Sequence, residues 1–205
     1  MPKPPTLDDL RRYAVARTLF KPTTLARAID KLGFVQADPI RAPARAQDLI
    51  LRHRVAGYRA GDLERRYAKL GVEEDFFLTY GFVTRSLQSL MHPRSESGVP
   101  ADSPARWPAK RRRRARRLLE FVREHGEVHP REVDAHFSHG TVRNYWGGSS
   151  SATTHLLDAM HYRGMLRVAR RENGIRIYAI APQRDGLPAG ATGRRERIDA
   201  LVDAA

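Results

Sequence analysis

The strongest constraint on the fold of this chain is a β-hairpin signal in its C-terminal third. In "LRVARRENGIRIYAI", two runs of strand-forming residues flank the pair Asn173-Gly174. Both residues of an Asn-Gly pair tolerate positive φ angles, which the tightest hairpin turns require. The segment therefore predicts two antiparallel strands joined by a two-residue turn.

Three predicted helices come before this hairpin. The first, "AKRRRRARRLLEFVREHG", has apolar residues on a single face, namely Ala115, Leu118, Leu119 and Val122. The second, "HPREVDAHF", has Pro130 in its first turn, and the third, "SSSATTHLLDAMHYRG", begins at a serine cap and ends at Gly164. Three helices followed by a hairpin are the order of a winged helix, a helix-turn-helix variant with a β wing.

The N-terminal half predicts a degenerate unit of the same kind. Its segments are helices in "TLDDLRRYAVARTLF" and "PTTLARAIDKLG", a short strand in "FVQAD", and helices in "PIRAPARAQDLILRHRVAG" and "RAGDLERRYAKLG". Thr23 or Thr24 suits the N-cap of the second helix, and Gly33 suits its end. Pro43 interrupts the next helix early, because proline cannot donate a helical hydrogen bond.

Together these elements predict a mainly α fold with short β-hairpins, built from tandem winged helix-turn-helix units. The first winged-helix-like unit is expected over residues 1–92. Residues 93–108 contain four prolines together with Ser, Gly and Asp, which is typical of a linker. The second unit follows over residues 109–181. The tail over residues 182–205 predicts an amphipathic helix that ends without a C-cap.

The net charge of the chain points to its partner. A formal charge of +14 over 205 residues favours a polyanion. An anionic membrane would respond to the same charge, but we find no long apolar stretch or amphipathic anchor. RNA is less favoured because no aromatic RNP-like strand is present. We therefore expect a monomer that binds double-stranded DNA and not a membrane.

Composition also excludes several classes of chemistry. The chain has no cysteine, so it has no disulfide, thiol catalyst, zinc finger or iron–sulfur cluster. Its eight histidines match no metal signature, and no Gly-rich phosphate loop or G-x-S-x-G elbow is present. We therefore expect no metal and no cofactor.

The expected location is the cytoplasm, with nucleoid association when DNA is bound. The N-terminus "MPKPPTLDDL" has no apolar signal core. Lysine occurs at only five positions, so arginine supplies most of the positive charge. This usage is typical of a GC-rich bacterial genome, and arginine also suits phosphate groups and base edges.

The densest basic segment runs from Lys110 to Arg117, with seven cations in eight residues. It opens the predicted second unit, so we expect phosphate contacts there; a solvated helix face is the alternative. The third helix and the wing supply further candidates. The DNA-binding candidates are Arg41, Arg45, Lys110, Arg111, Arg112, Arg113, Arg116, Arg117, Thr153, Thr154, His155, Arg170, Arg171 and Arg176.

The segment "GFVQADPIRAPARAQD" contains a pair of polar residues that could be structural or catalytic. Gln36 and Asp38 lie two residues apart at the end of a predicted strand, where alternate side chains project to one side. Asp38 directly before Pro39 predicts a helix start, with aspartate as N-cap and proline at the first helical position. The helix dipole would then favour an ionised carboxylate. Capping alone explains the pair, but capping and catalysis are compatible.

An ionised carboxylate beside an amide suits a reaction in which positive charge develops on a sugar and water attacks it. Hydrolysis of the glycosidic bond of an alkylated purine is such a reaction. Because the damaged base is already a cationic leaving group, no strong general acid is needed. Asp38 would stabilise the oxocarbenium-like centre or activate water, and Gln36 would help to place that water.

The order of these segments along the chain resembles that of the bacterial AlkZ-like (YcaQ) winged-helix DNA glycosylases. "GFVQADPIRAPARAQDLILRHRVAGYRAGDLER" is similar to their first winged-helix segment, which carries a catalytic Gln-x-Gln or Gln-x-Asp motif before an arginine-rich stretch. Gln36-Ala37-Asp38 would be the Gln-x-Asp version. The block that starts at Gly126 resembles their second winged helix, so the resemblance covers residues 6–181.

The resemblance implies a concave DNA-binding surface and monofunctional excision of alkylated bases, in some members from interstrand crosslinks. Family members also continue into a third winged helix and a β-barrel, and residues 182–205 would begin that third unit. The expected function is therefore a DNA repair glycosylase that excises N7-alkylpurines or crosslinked bases. The alternative is a non-catalytic winged-helix DNA-binding protein or transcriptional regulator, in which Asp38 is only a cap.

Overall fold

A computed structural model describes residues 4–38, 40–92, 106–137, 140–143, 149–182 and 190–204. In this part of the chain, helices predominate and the strands form small antiparallel sheets, which is a mixed α and β fold compatible with the mainly α prediction. The chain divides into two compact units, with the boundary between Leu87 and Gln88. No helix among the described residues is long and apolar enough to cross a bilayer.

The first unit consists of short helices and a three-stranded sheet. Its elements are α1 (Leu7–Thr18), α2 (Leu25–Leu32), β1 (Phe34–Gln36), α3 (Ala46–Arg52), α4 (Asp62–Arg66), a 3-10 turn (Tyr67–Lys69), β2 (Val72–Phe76), β3 (Tyr80–Thr84) and the start of α5 (Arg85–Met91). The predicted helices α1 and α2 and the predicted strand β1 are confirmed. The β2–β3 hairpin was not predicted, because "VEEDF" lacks the apolar and polar alternation of a half-buried strand.

Local signals set both ends of α2. The Thr24 hydroxyl accepts a hydrogen bond from the Arg27 backbone N–H, so Thr24 rather than Thr23 is the N-cap. Gly33 follows the last helical residue with a φ of 70°, which glycine adopts without a Cβ penalty. The inward face of α2 then joins the buried core of the unit, which comprises Leu25, Ala28, Ile29, Val35, Leu51, Val55, Leu63, Tyr67, Leu70, Val72 and Phe82.

The sheet of the first unit has the strand order β1–β3–β2. Gly81 on the central strand lies opposite Gln36 on one side and Asp75 on the other. A Cβ at Gly81 would lie within 2.7 Å of the Phe34 ring and closer still to the Val35 carbonyl oxygen. Real Cβ atoms do not approach other atoms so closely, so glycine is required for β1 to pair at this register.

The second unit contains the elements that the sequence predicted most completely. Its elements are the remainder of α5, α6 (Ala109–His125), β4 (Glu127–Val128), α7 (Pro130–Phe137), β5 (Thr141–Arg143), β6 (Ser149–Ser151), α8 (Ala152–Tyr162), β7 (Leu166–Glu172), β8 (Ile175–Ile180) and α9 (Gly190–Ala204). The three predicted helices α6, α7 and α8 are confirmed, as are both strands of the hairpin. Strands β4, β5 and β6 were not predicted, because each has two or three residues with at most one apolar residue among them.

Turn and cap chemistry in the second unit follows the sequence closely. Asn173 and Gly174 have φ values of 49° and 85°, as a type I′ turn requires. The Ser151 hydroxyl accepts hydrogen bonds from the backbone N–H groups of Thr153 and Thr154, so it is the predicted serine cap of α8. The core packs α6, α7 and α8 against the hairpin and includes Ala115, Leu118, Val122, Val133, Leu156, Leu157, Met160, Leu166, Val168 and Tyr178.

The two units share one order of elements. In each, a helix and a short strand precede two further helices and a hairpin, and the first strand pairs with the last: β1–β3–β2 and β4–β8–β7. The second unit adds the β5–β6 pair before α8. Of the predicted linker, residues 93–105 lie outside the described residues, and Trp107 is buried in the core of the second unit.

Replacing Gly81 with alanine should destabilise the first unit. The added Cβ meets backbone at Val35, which cannot rotate away, so we expect a loss of about 1–3 kcal/mol in unfolding free energy. Gly71 is the matched control, because a Cβ there meets nothing within 4 Å; Gly71→Ala should be neutral or slightly stabilising. Guanidinium unfolding followed by circular dichroism measures both, and equal midpoints would contradict the steric argument.

Candidate functional site

The Gln36-Ala37-Asp38 motif lies at the end of β1, beside the hairpin. Gln36 is the last residue of the strand and is exposed. The Ala37 backbone N–H donates to the Tyr80 carbonyl at 2.9 Å, so the pairing with β3 continues one residue beyond the strand. Asp38 is partly exposed and follows directly. The sheet therefore fixes the backbone of the motif up to the residue before the carboxylate.

The predicted cap at Asp38 is wrong. The helix that follows begins at Ala46, with Arg45 as its N-cap, and Pro39 lies outside the described residues. Instead, Asp38 Oδ1 accepts a hydrogen bond from the Ile40 backbone N–H at 2.8 Å, which closes a tight local turn. The reason is Pro43: in a helix starting at Pro39 it would stand beyond the first turn, where proline removes a hydrogen bond and clashes.

A partly buried relay of hydrogen bonds connects the Asp38 backbone to α4. Gln47, only 4% exposed on α3, accepts the Asp38 backbone N–H through Oε1 at 3.1 Å. Its Nε2 donates to Glu64 Oε1 at 2.7 Å. Arg45 Nη1 donates to the same Glu64 oxygen, also at 2.7 Å. No sequence motif indicates this relay, because its members come from two helices and a loop.

A second buried contact holds α3 against the turn that precedes α4. Asp48 Oδ1 accepts hydrogen bonds from the Tyr58 hydroxyl and the Gly61 backbone N–H, both at 2.8 Å. Burial raises the pKa of the Tyr58 phenol well above its ordinary value, and the bond to Asp48 raises it further. The hydrogen bond requires a neutral phenol, so it opposes deprotonation of Tyr58.

Three consecutive acids are buried on β2: Glu73, Glu74 and Asp75. Glu73 forms an ion pair with Arg85 at 3.0 Å, and Glu74 accepts the Tyr80 hydroxyl. Asp75 Oδ1 accepts the Phe76 backbone N–H at 2.7 Å. Buried carboxylates need such partners, so these acids strengthen the hairpin next to the motif.

The basic run on α6 divides into engaged and open cations. The guanidinium of Arg111 lies over the Trp107 ring, 4.8 Å from its centroid, and Arg112 donates to the Trp107 carbonyl at 2.6 Å. Arg117 lies over Phe137 at 5.8 Å. In the described part of the chain, the exposed cations with no bonded partner in this run include Lys110, Arg113 and Arg116.

Burial lowers the pKa of Arg111, and the charge of Arg163 lowers it further. Arg163 lies over the same Trp107 ring, 4.3 Å from its centroid. This pair of cations thus encloses a core residue of the second unit, and Arg111 has a structural task in addition to any contact with phosphate.

The other predicted contact residues differ in accessibility. Thr153 is fully buried, whereas Thr154 is partly exposed and His155 is exposed. In the wing, Arg170 pairs with Glu127 and Glu172, and hydrogen bonds to these carboxylates raise its pKa. Arg171 donates to the Gly174 carbonyl and Arg176 to Asp158, both at 2.8 Å. Arg41 is exposed.

Within the described ranges, no group of three histidine, aspartate or glutamate side chains is arranged to hold a metal ion. The motif comprises a carboxylate in a turn and an exposed amide on the preceding strand, with the Gln47–Glu64 relay behind them.

The family model of the DNA glycosylase AlkZ-like proteins matches residues 29–205, a range that contains the motif and most of the chain. Searches of curated proteins and of solved structures found no match. The chain belongs to the AlkZ-like DNA glycosylase family, as the sequence resemblance indicated. At the family level this assigns it to DNA repair glycosylases and implies DNA as the substrate.

Tyr58→Phe should destabilise the first unit by about 1–2 kcal/mol, because Asp48 loses a buried hydrogen-bond donor. Tyr13→Phe is the control, since Tyr13 is exposed and should change stability by less than about 0.5 kcal/mol.

The same contact predicts an alkaline pH dependence. The folded-state pKa of Tyr58 is raised above that of the unfolded chain, so its contribution is complete below about pH 10 and is lost as the pH rises. Denaturant midpoints measured across this range should fall more steeply for the wild type than for Tyr58→Phe. Parallel slopes would contradict the assignment.

Proposed function

We propose that this protein is a monomeric DNA repair glycosylase that hydrolyses the N-glycosidic bond of alkylated purines in double-stranded DNA. The observation that carries the proposal is the position of Asp38: a partly exposed carboxylate fixed in the turn after β1, within the family-matched range. Gln36, exposed at the end of the same strand, is its proposed partner.

The proposal includes a winged-helix architecture for both units. It is supported by the shared order of elements and by the sheet order in which the first strand pairs with the last. Winged helices bind duplex DNA through a helix and a β wing. Two such units in one chain would cover more phosphates than one, in agreement with the net charge of +14.

The chemistry follows from the charge of the substrate. N7 alkylation makes guanine a cationic leaving group, so the electrons of the C1′–N9 bond go to the base as the bond breaks. Positive charge develops on the sugar, the oxygen of a water molecule bonds to C1′, and its proton passes to solvent, directly or through the Asp38 carboxylate. Asp38 stabilises that charge or orients the water, and Gln36 helps to place the water.

The carboxylate has the capacity for this role. Oδ1 of Asp38 is occupied by the Ile40 N–H, and among the described residues Oδ2 has no hydrogen-bond partner. The second carboxylate oxygen of Asp38 can therefore face a cationic sugar without first giving up a hydrogen bond to the described residues.

The proposed DNA contacts begin with the open cations Lys110, Arg113, Arg116 and Arg41. Seven further arginines already have partners within the protein, and we expect them to add positive charge near the DNA: Arg45, Arg111, Arg112, Arg117, Arg170, Arg171 and Arg176. Thr154 and His155 of α8 are the proposed groove contacts. The buried Thr153 is left out of this interface.

The decisive test is release of N7-methylguanine from duplex DNA by the wild type and by Asp38→Asn under single-turnover conditions. Asparagine keeps an oxygen that can accept the Ile40 N–H and removes only the charge. We expect the rate constant to fall by about 100-fold or more, while DNA affinity is retained.

Asp62→Asn is the matched control. Asp62 also accepts a backbone N–H within a local turn of the first unit, and it pairs with the exposed Arg65, so the variant removes one carboxylate charge outside the motif. It should release the base at the wild-type rate. Equal rates for Asp38→Asn and wild type would end the catalytic role of Asp38, and DNA binding without any release would favour the non-catalytic alternative.

Charge contacts predict a salt-dependent affinity. Replacing Lys110, Arg113 and Arg116 together with glutamine should reduce the slope of log affinity against log salt by about 2–3, since each phosphate contact contributes about 0.9.

A control variant removes three exposed cations of the first unit instead: Arg12, Arg27 and Lys69. Its net charge equals that of the test variant, so a difference in slope between the two variants reports the position of the lost cations and not the total charge. Identical slopes in the two variants would place the phosphate contacts away from α6.

A further inference from the structure

The relay behind the motif holds the Asp38 backbone through a side chain whose orientation is determined. The Asp38 N–H can only donate and the Glu64 carboxylate, when ionised, can only accept. The Gln47 amide satisfies both, with Oε1 toward Asp38 at 3.1 Å and Nε2 toward Glu64 at 2.7 Å. A flipped amide would place like groups face to face, so one orientation is selected.

Glu64 stabilises this relay at a cost. Its Oε1 accepts from both Arg45 and Gln47, while Oε2 is buried and has no hydrogen-bond partner among the described residues. An unpaired buried carboxylate oxygen reduces stability. Unpaired buried groups of this kind concentrate where a functional geometry is maintained. Glu64 is connected to the motif through Gln47.

Asp38 is consequently held at two points. Gln47 fixes its backbone nitrogen, and Ile40 fixes its Oδ1. Two anchors on either side of the Cα limit both the position of the backbone and the direction of the carboxylate. Loss of the Gln47 anchor would leave the short Ile40 turn intact but free to shift as a whole.

We propose that Gln47 and Glu64 are positioning residues for Asp38, acting through the Asp38 backbone rather than on the substrate. The proposal rests on the proposed function, in which Asp38 is the reacting carboxylate. It adds that catalysis depends on an amide and a carboxylate that never touch DNA.

The first test is Gln47→Leu, which keeps the volume and removes both hydrogen bonds. A displaced carboxylate should lower the single-turnover rate constant by about 10- to 100-fold, with the dissociation constant for DNA changed less than about twofold. Gln88→Leu is the matched control, since Gln88 is 5% exposed but belongs to the other compact unit. A Gln47→Leu variant as active as Gln88→Leu overturns the proposal.

A charge swap separates positioning from general stability. Gln47→Glu places two carboxylates together, and adding Glu64→Gln restores one amide and one carboxylate. We expect the single variant to lose activity and the double variant to recover most of it. A double variant no better than the single one contradicts the relay.

The Gln47→Glu variant should also acquire a pH dependence. One of two adjacent carboxylates is protonated more readily, and the shared proton restores the link. Its rate relative to the wild type should therefore rise between about pH 8 and pH 5. Arg45 is bonded to Glu64, the charge of Glu64 acts on Tyr58, which is itself bonded to Asp48, and the Asp38 backbone N–H is bonded to Gln47. All of these groups are present in the wild-type reference. The double variant should show a flat ratio.

A readout independent of catalysis completes the test. Amide hydrogen exchange at Asp38 should accelerate about fivefold or more in Gln47→Leu, because a hydrogen bond contributes about 1 kcal/mol. If the wild type releases no base but exchange accelerates, the proposed function fails while the anchor itself is established. If exchange at Asp38 is unchanged, the positioning role is overturned whatever the activity.

Discussion

The pairing of β1 with β3 at Gly81 is the interaction on which the candidate site depends. β1 has only three residues and lies at the edge of its sheet, so β3 is its one strand partner among the described residues. Gly81 allows the Phe34 ring and the Val35 carbonyl to approach the central strand closely. The same register continues to the Ala37–Tyr80 hydrogen bond. Gly81 therefore permits the strand register that places Asp38 directly after the last residue bonded to β3.

The second unit could be predicted from sequence because its signals are local. Asn173-Gly174 specifies its own turn, Ser151 caps its own helix, and the periodic residues of α6 define a buried face within one window. The first unit could be predicted less well. The acids of β2 are buried because the hairpin brings Tyr80 and Arg85 back to them, and no periodicity in the segment indicates these pairings.

The basic run illustrates what a closer use of periodicity could have found. Arg111 precedes Ala115, Leu118 and Val122 by four, seven and eleven residues, which places it on their face of the helix. Its guanidinium indeed lies over the buried Trp107. That Arg111 lies on the face of the buried residues could thus be predicted from α6 alone, whereas the identity of the ring that it contacts could not. The wing differs, because the acids that engage Arg170 include Glu127 of β4, outside its own hairpin.

The correction at Asp38 changes the physical basis proposed for the chemistry. An N-cap carboxylate would be committed to N–H groups of a helix and would gain from the helix dipole. In the turn, one oxygen receives a single N–H from Ile40, and the dipole argument no longer applies. Instead, three hydrogen bonds hold the carboxylate in position: β3 binds the Ala37 N–H, Gln47 binds the Asp38 N–H, and the Ile40 N–H binds one carboxylate oxygen. Gln47 and Glu64 were absent from the sequence-based site because their contribution is geometry, which arises only when α3 and α4 pack together. The proposed catalytic power of the motif therefore depends on a carboxylate held in place more than on one held ionised.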